Sequence, residues 1–242
     1  MRRRRPAGVV IAAILALACL FVAYKLAGSP LRRLERAPAR ALSLFRAPPV
    51  KPERPAVPLR TAFSRAGVPY PPTKVALLGL KEERVLEVWA HHDGKWRFIK
   101  GYPVLAASGV AGPKLREGDR QVPEGVYRII WLNPNSKYHL SMKIDYPNEF
   151  DRRHAREDGR TNLGGDIFIH GDAVSIGCLA MGDGPIEELY RMVEKAGAEN
   201  VKVLIAPHDP RVKPLPRSVS DGPSWVPELY EELGAELEAF RR

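Results

Sequence analysis

The chain has 242 residues, 45% hydrophobic and 27% charged, enough for one sizeable core with appendages and too apolar for wholesale disorder. Its formal charge of +10 belongs to the first 60 residues, where 13 lysines and arginines face only Glu35 and Glu53; the remaining 25 basic and 26 acidic side chains nearly cancel. A near-neutral body lacks the basic face that phosphate neutralisation requires, so nucleic acid is not an expected partner. Two cysteines exclude a disulfide-stapled scaffold and any CxxC zinc site.

Arg2 to Arg5 open the chain, and an apolar, uncharged run of 18 residues follows from Ala7 to Tyr24. As a helix it would be about 27 Å long, close to the hydrocarbon thickness of a bilayer. Residues 1–28 are therefore expected to be a short cytoplasmic tip and an uncleaved membrane anchor. Cleavage after Ala16-Leu17-Ala18 and lipidation of Cys19 are the alternatives. Basic residues flank the run on both sides, so charge alone does not set its orientation. Residues 29–72 hold ten prolines between Pro30 and Pro72 and read as an extended spacer with a short helix near Leu31–Arg36.

The body is expected to occupy residues 73–242. Short β-rich runs at 74–80, 84–90 and 95–104 surround a turn at His91-His92-Asp93-Gly94. A glycine- and charge-rich loop at 108–123 separates them from strands at 125–132 and 138–144. Residues 147–165 are polar and expected to be irregular, and Asp166–His170 reads as a short buried strand. One helix is expected over 185–196, with Asp183 as its cap and Gly197 as its stop. A second is expected over 227–241, with Ser224 as its cap, and a strand at 200–206 lies between them. The pattern is a strand-dominated α+β body without regular βαβ alternation.

Cys178 is the only cysteine outside the apolar run, and His170 lies eight residues before it in Ile-His-Gly-Asp-Ala-Val-Ser-Ile-Gly-Cys. A thiol is little ionised at neutral pH, so an imidazole partner would make it a useful nucleophile. Eight residues of strand would separate the two by about 26 Å. The chain must therefore turn at Gly171-Asp172 and return through 174–178. This reading has sulfur and imidazole folded against each other, the thiol deprotonated in place, and the Gly177 and Cys178 N–H groups aimed at an oxyanion. The competing reading is a structural cysteine beside a backbone-bonded histidine. A metal site drawing on His170, Asp172, Cys178 and His208 has no supporting spacing, so no metal is expected.

At these residues the chain resembles the L,D-transpeptidase (YkuD-type) catalytic family, within it the YafK-like branch of murein enzymes. The resemblance covers about residues 74–208. It includes Gly112-Pro113-Lys114-Leu115-Arg116-Glu117-Gly118-Asp119, Pro123-Glu124-Gly125-Val126-Tyr127, Asn133-Pro134-Asn135-Ser136, Tyr146-Pro147-Asn148 and the His-Gly…Ser-x-Gly-Cys block. It implies a strand-dominated YkuD fold with peripheral helices, preceded by the anchor. It also implies cysteine acyl transfer on peptidoglycan stem peptides at meso-diaminopimelate, with no cofactor. Carried over, Cys178 is the nucleophile, His170 the base, the Gly171 carbonyl orients the imidazole, and Ser175 and Gly177 shape the nucleophile loop. Many members carry Arg or Asn two residues after the cysteine, where this chain has Ala180. Tyr146, Asn148, Asp151 and Arg152 are then the candidates for holding the substrate. The implied acceptor is a stem amine, a lysine of an envelope lipoprotein, or water. The last makes the enzyme a hydrolase or amidase that detaches wall-linked material. A membrane-anchored peptidoglycan-binding module is the non-enzyme alternative. The substrate places the body on the periplasmic face of the inner membrane, or free in the periplasm after cleavage.

Overall fold

The computed structural model describes residues 57–217 and 222–241. The expected anchor and most of the proline-rich spacer lie outside the described residues, and no helix of the described part is long and apolar enough to cross a membrane. The body starts before Thr73. Helix α1 (Leu59–Arg65) falls within the stretch expected to be spacer, and it buries Leu59, Ala62 and Phe63.

Strands β1 (Val75–Leu80), β2 (Val85–His92) and β3 (Lys95–Pro103) follow as an antiparallel meander. All six residues of β1 are buried, as expected of a central strand covered on both faces. His91 and His92 extend β2, opposite Trp96 and Lys95, and are not turn residues. The turn itself is Asp93-Gly94, with φ of 50° and 75°, the left-handed pair that a tight hairpin demands.

Strand β4 (Gly125–Ser136) is longer than its apolar run and carries the Asn133–Ser136 segment as paired strand against β5 (His139–Ile144). Helix α2 (Glu149–Glu157) occupies a segment expected to be irregular. Next come β6 (Phe168–His170), β7 (Leu179–Ala180), α3 (Asp183–Ala196), a single 3₁₀ turn, β8 (Val201–Ala206) and α4 (Val226–Leu237). Gly182, not Asp183, holds the N-cap position of α3, and Trp225, not Ser224, that of α4.

The eight strands form one mixed sheet in the order β3-β2-β1-β8-β4-β5-β6-β7. β8 lies at its centre, parallel to β1 and antiparallel to β4. One face carries Leu77, Val88, Ile129, Met142, Ile169 and Leu179, packed with Ile186, Leu189 and Val193 of α3. The other face is covered only in part. Ala76, Leu78, Trp89 and Leu204 meet Leu229, Leu233 and Leu237 of α4 there, in a cluster that draws on β1, β2 and β8 but not on β5, β6 or β7. Fully burying each of these large side chains contributes about 1.5–3 kcal/mol of transfer free energy. The outer face of the β5–β6–β7 half is left to the site.

A buried polar network fixes the loop between β3 and β4. Lys81 Nζ donates to Glu124 Oε1 (2.7 Å) and to the carbonyls of Gly112 and Val122 (both 3.1 Å). Glu124 also accepts from the Gly112 N–H (2.8 Å) and from the Tyr230 hydroxyl of α4 (2.6 Å). Removing two charges from water is unfavourable, and here every carboxylate oxygen has a donor to offset it. The loop that crosses to the site is thereby tied to β1 and α4.

Candidate active site

β6 and β7 run parallel as neighbours, with Ile169 opposite Leu179 and His170 opposite Ala180. Side chains alternate along a strand, so the inward Ile169 and Leu179 put Phe168 and His170 on the opposite face, away from α3. Cys178, next to Leu179, stands beside Phe168. Its Sγ donates to the Asp166 carbonyl at 3.7 Å and receives the Phe168 N–H. Eight residues apart in sequence, His170 and Cys178 are brought to adjoining strands. The return is made by a loop in which Gly177 has a φ of 102°, a conformation costly for any other residue. At Gly171 a Cβ would lie 2.7 Å from the Tyr138 carbonyl and 2.8 Å from Asp183 Oδ1, so only glycine fits. Asp183, expected as a cap, instead accepts the Asp172 N–H at 2.8 Å and anchors this loop to α3.

The imidazole of His170 is buried, and its Nδ1–H donates to the Gly171 carbonyl at 2.6 Å. In the neutral ring this leaves Nε2 as an acceptor. Tyr138 lies over the imidazole with ring centroids 4.7 Å apart and 37° between the planes. Burial pushes the His170 pKa down, against the pull of the Gly171 carbonyl and Asp172. Burial likewise pushes the Cys178 thiol up; the Phe168 N–H and the Lys114 ammonium oppose this, and the Asp166 carboxylate adds to it. Both shifts run against the expectation of a thiol deprotonated in place, and no sulfur–imidazole hydrogen bond is present among the described residues. The physical reason is desolvation, which disfavours both charged forms at once.

Ser175 Oγ accepts the Cys178 N–H (3.0 Å) and donates to the Cys178 carbonyl (2.6 Å). The Gly177 N–H donates to Ser108 Oγ at 2.7 Å. Both N–H groups expected to face an oxyanion thus already hold serine hydroxyls, and the Gly171 N–H is spent on the Leu140 carbonyl. Ser108 reaches Gly177 because the strip before it pairs with β7, Leu105 N–H and Ala180 N–H exchanging bonds with Ala180 and Ala106.

Three of the four expected substrate contacts are committed elsewhere. The Tyr146 hydroxyl is buried against the Lys114 and Leu163 carbonyls, both at 3.3 Å. Asn148 and Asp151 form the capping box that starts α2, and Asn148 Nδ2 also donates to the Val126 carbonyl at 2.9 Å. Arg152 is half exposed and donates to the carbonyl of Pro147, just ahead of α2. Among the described residues, no three His, Cys, Asp or Glu side chains are grouped so as to hold a metal ion.

Residues 74–205, from β1 to β8, match the model of the YkuD L,D-transpeptidase catalytic domain. The chain belongs to this family. Within it, YafK of Escherichia coli (strain K12), itself a candidate L,D-transpeptidase, is 38% identical over 132 residues, 52% of this chain and 51% of that one. The chain spans about half the length of the curated relatives it matches. Among solved structures it is similar to the helical cell shape determining protein Pgp2 from Campylobacter jejuni, at 26% identity over 56% of this chain and 48% of that one, with a TM-score of 0.47. Bd1075 of Bdellovibrio bacteriovorus is similar at 22% identity over 69% and 56% of the two chains, with a TM-score of 0.42. The YkuD match includes both His170 and Cys178 and leaves α1 and α4 outside it. Sequence reading passed over Ser108, Tyr138 and Lys114. Only Lys114 carried a signal, as part of the Gly112–Asp119 segment; its ammonium is buried on Asp119 Oδ1 (2.6 Å) and the Arg116 carbonyl (2.8 Å).

Proposed function

We propose that this YkuD-family chain is a cysteine acyl-transfer enzyme that acts on peptidoglycan stem peptides through a thioacyl-enzyme. The observation that carries the reading is the placement of Cys178, just before β7, and His170, at the end of β6, on the same side of adjacent strands, with His170 Nδ1 bound to the Gly171 carbonyl and Nε2 left to accept a proton. The reaction requires the Cys178 side chain to leave the Asp166 carbonyl and bring Sγ to Nε2. His170 then takes the Sγ proton as the sulfur attacks the carbonyl of the meso-diaminopimelate residue. The carbonyl electron pair moves to oxygen. This oxyanion competes for the Gly177 and Cys178 N–H groups with neutral serine hydroxyls, and a charged acceptor makes the stronger hydrogen bond. The intermediate collapses as the C–N bond breaks and the imidazolium protonates the leaving amine. An acceptor amine or water, deprotonated by His170, then attacks the thioester and releases Sγ.

An amine acceptor makes the chain a transpeptidase, joining stems or attaching an envelope lipoprotein; water makes it a hydrolase or amidase. Because the polymer lies outside the inner membrane, we place the body on the periplasmic side, held by the apolar run at 7–24. The test is to incubate the full-length chain with muropeptides beside Cys178→Ala and His170→Ala variants, following both products and intact protein by mass spectrometry. A thioacyl adduct on wild type, lost in Cys178→Ala, is the expected result, and the products assign the acceptor. Binding of muropeptides with no adduct and no product would overturn the enzyme reading in favour of a binding module.

A further inference from the structure

Across the open face, Trp131 of β4 stands opposite Lys143 of β5, and Lys143 opposite Phe168 of β6. Residues in register share a face, and the contacts agree: the Trp131 and Phe168 rings lie 6.4 Å apart, and Lys143 Nζ is 5.9 Å from the Phe168 ring. The row ends beside Cys178. Lys143 Nζ bonds Asp166 Oδ1 at 2.6 Å, and it is the carbonyl of that same Asp166 that takes the Cys178 thiol. Asp166 holds a left-handed φ of 54°, which lets its backbone face the sulfur while its carboxylate stays out on the surface. That carboxylate is 81% exposed, so its pairing with Lys143 is a solvated one that contributes little to stability and opens readily.

We propose that Lys143 and Asp166 form a subsite for a free amino-acid centre, Lys143 taking its carboxylate and Asp166 its ammonium. The inference rests on the acyl-transfer reading. The far end of meso-diaminopimelate carries one carboxylate and one ammonium on a single carbon, the mirror of this exposed ion pair. Trp131, 52% exposed, and Phe168 flank the pair and cover the aliphatic stem that joins that centre to the reacting carbonyl. Lowering of the local dielectric by these rings strengthens both contacts once the ligand is seated.

The test uses three stem tetrapeptides on the full-length chain: one with meso-diaminopimelate, one with its side-chain carboxyl amidated, and one with lysine in its place. Wild type should prefer the first by about tenfold or more in kcat/KM, the scale of one charged hydrogen bond. Lys143→Gln should bring the first two within about twofold of each other, and Lys143→Arg should restore the preference. Asp166→Asn, which keeps a residue tolerant of positive φ, should weaken all three stems, each of which bears the ammonium, with the carboxylate preference retained. Unchanged preference in Lys143→Gln, with wild type active, overturns the subsite and leaves the reaction standing. If wild type turns over none of the three, the reaction falls, and titration of the Cys178→Ala chain with the same peptides decides the subsite. Affinities that ignore the Lys143→Gln change then overturn it too.

Discussion

Ser175 grips Cys178 by both ends of its peptide unit, accepting the N–H at 3.0 Å and donating to the carbonyl at 2.6 Å. The hydroxyl thereby sets where the sulfur emerges from a loop whose neighbouring glycine has a left-handed backbone. Ser175→Ala loses both bonds, with a cost of about 1–3 kcal/mol in stability. A displaced nucleophile is costlier to catalysis, so kcat on muropeptides should fall by about 10–100-fold. Ser175→Thr should retain most of the rate. Steady-state turnover beside thermal unfolding checks this; full activity in Ser175→Ala would remove Ser175 from the mechanism.

Desolvation sets the pH behaviour of the pair. His170 is depressed below its ordinary 6.5, so it is a neutral base at pH 7, and the acid limb of kcat/KM should lie below pH 6.5. Cys178 is raised above its ordinary 9.0, so iodoacetamide should modify it slowly at pH 7 and increasingly fast above pH 9. A resting thiolate–imidazolium pair would instead give a flat, rapid alkylation rate between pH 6 and 8.

Glu124 receives Lys81, Gly112 and Tyr230, and its removal strands a buried ammonium. Glu124→Ala should destabilise the fold by about 3–5 kcal/mol in urea unfolding. Replacing both charges, in Lys81→Met with Glu124→Leu, should recover part of that loss. A Glu124→Ala penalty under about 1 kcal/mol would show the network to be dispensable.

Asp151 is buried in the first turn of α2, and burial raises its pKa from 3.8 to about 7, against the Asn148 N–H that favours the carboxylate. The unfolded chain releases this proton first. Stability tied to Asp151 is therefore complete below about pH 4, is lost as pH rises toward 7, and levels off above. Asp151→Asn keeps an acceptor for the cap and should flatten this dependence, gaining at most about 4 kcal/mol at pH 8. Equal pH slopes for the two proteins in chemical denaturation would contradict the assignment.

Residues that act through local pattern were readable from the sequence, and those that act through pairing were not. β1, β2 and β8 announce themselves as apolar runs, and His170 and Cys178 as a compact motif with glycines at its turns. α2 hid because it buries only Asp151, His154 and Ala155, which leaves no apolar stripe to count. Its one local mark is Asn148 three residues before Asp151, a pair that the resemblance points toward substrate and that the fold uses as a capping box. Ser108, Tyr138 and Lys143 reach the site only through strand register, and no spacing along the chain encodes that. The spacing of His170 and Cys178 points to a base and a nucleophile, but not to the burial that pushes the thiol up and the imidazole down.

β8 carries none of the proposed catalytic groups, yet it is the strand that joins β3-β2-β1 to β4-β5-β6-β7. Its partner Val75 precedes Val201 by 126 positions. A polypeptide stopped after Ala180 would hold the sulfur, the imidazole and every serine around them with its two half-sheets joined only by the bridge of Ala106 to Ala180. During synthesis the nucleophile loop must therefore wait for residues that never meet substrate, and a truncation well downstream of the chemistry should silence it as completely as losing the sulfur.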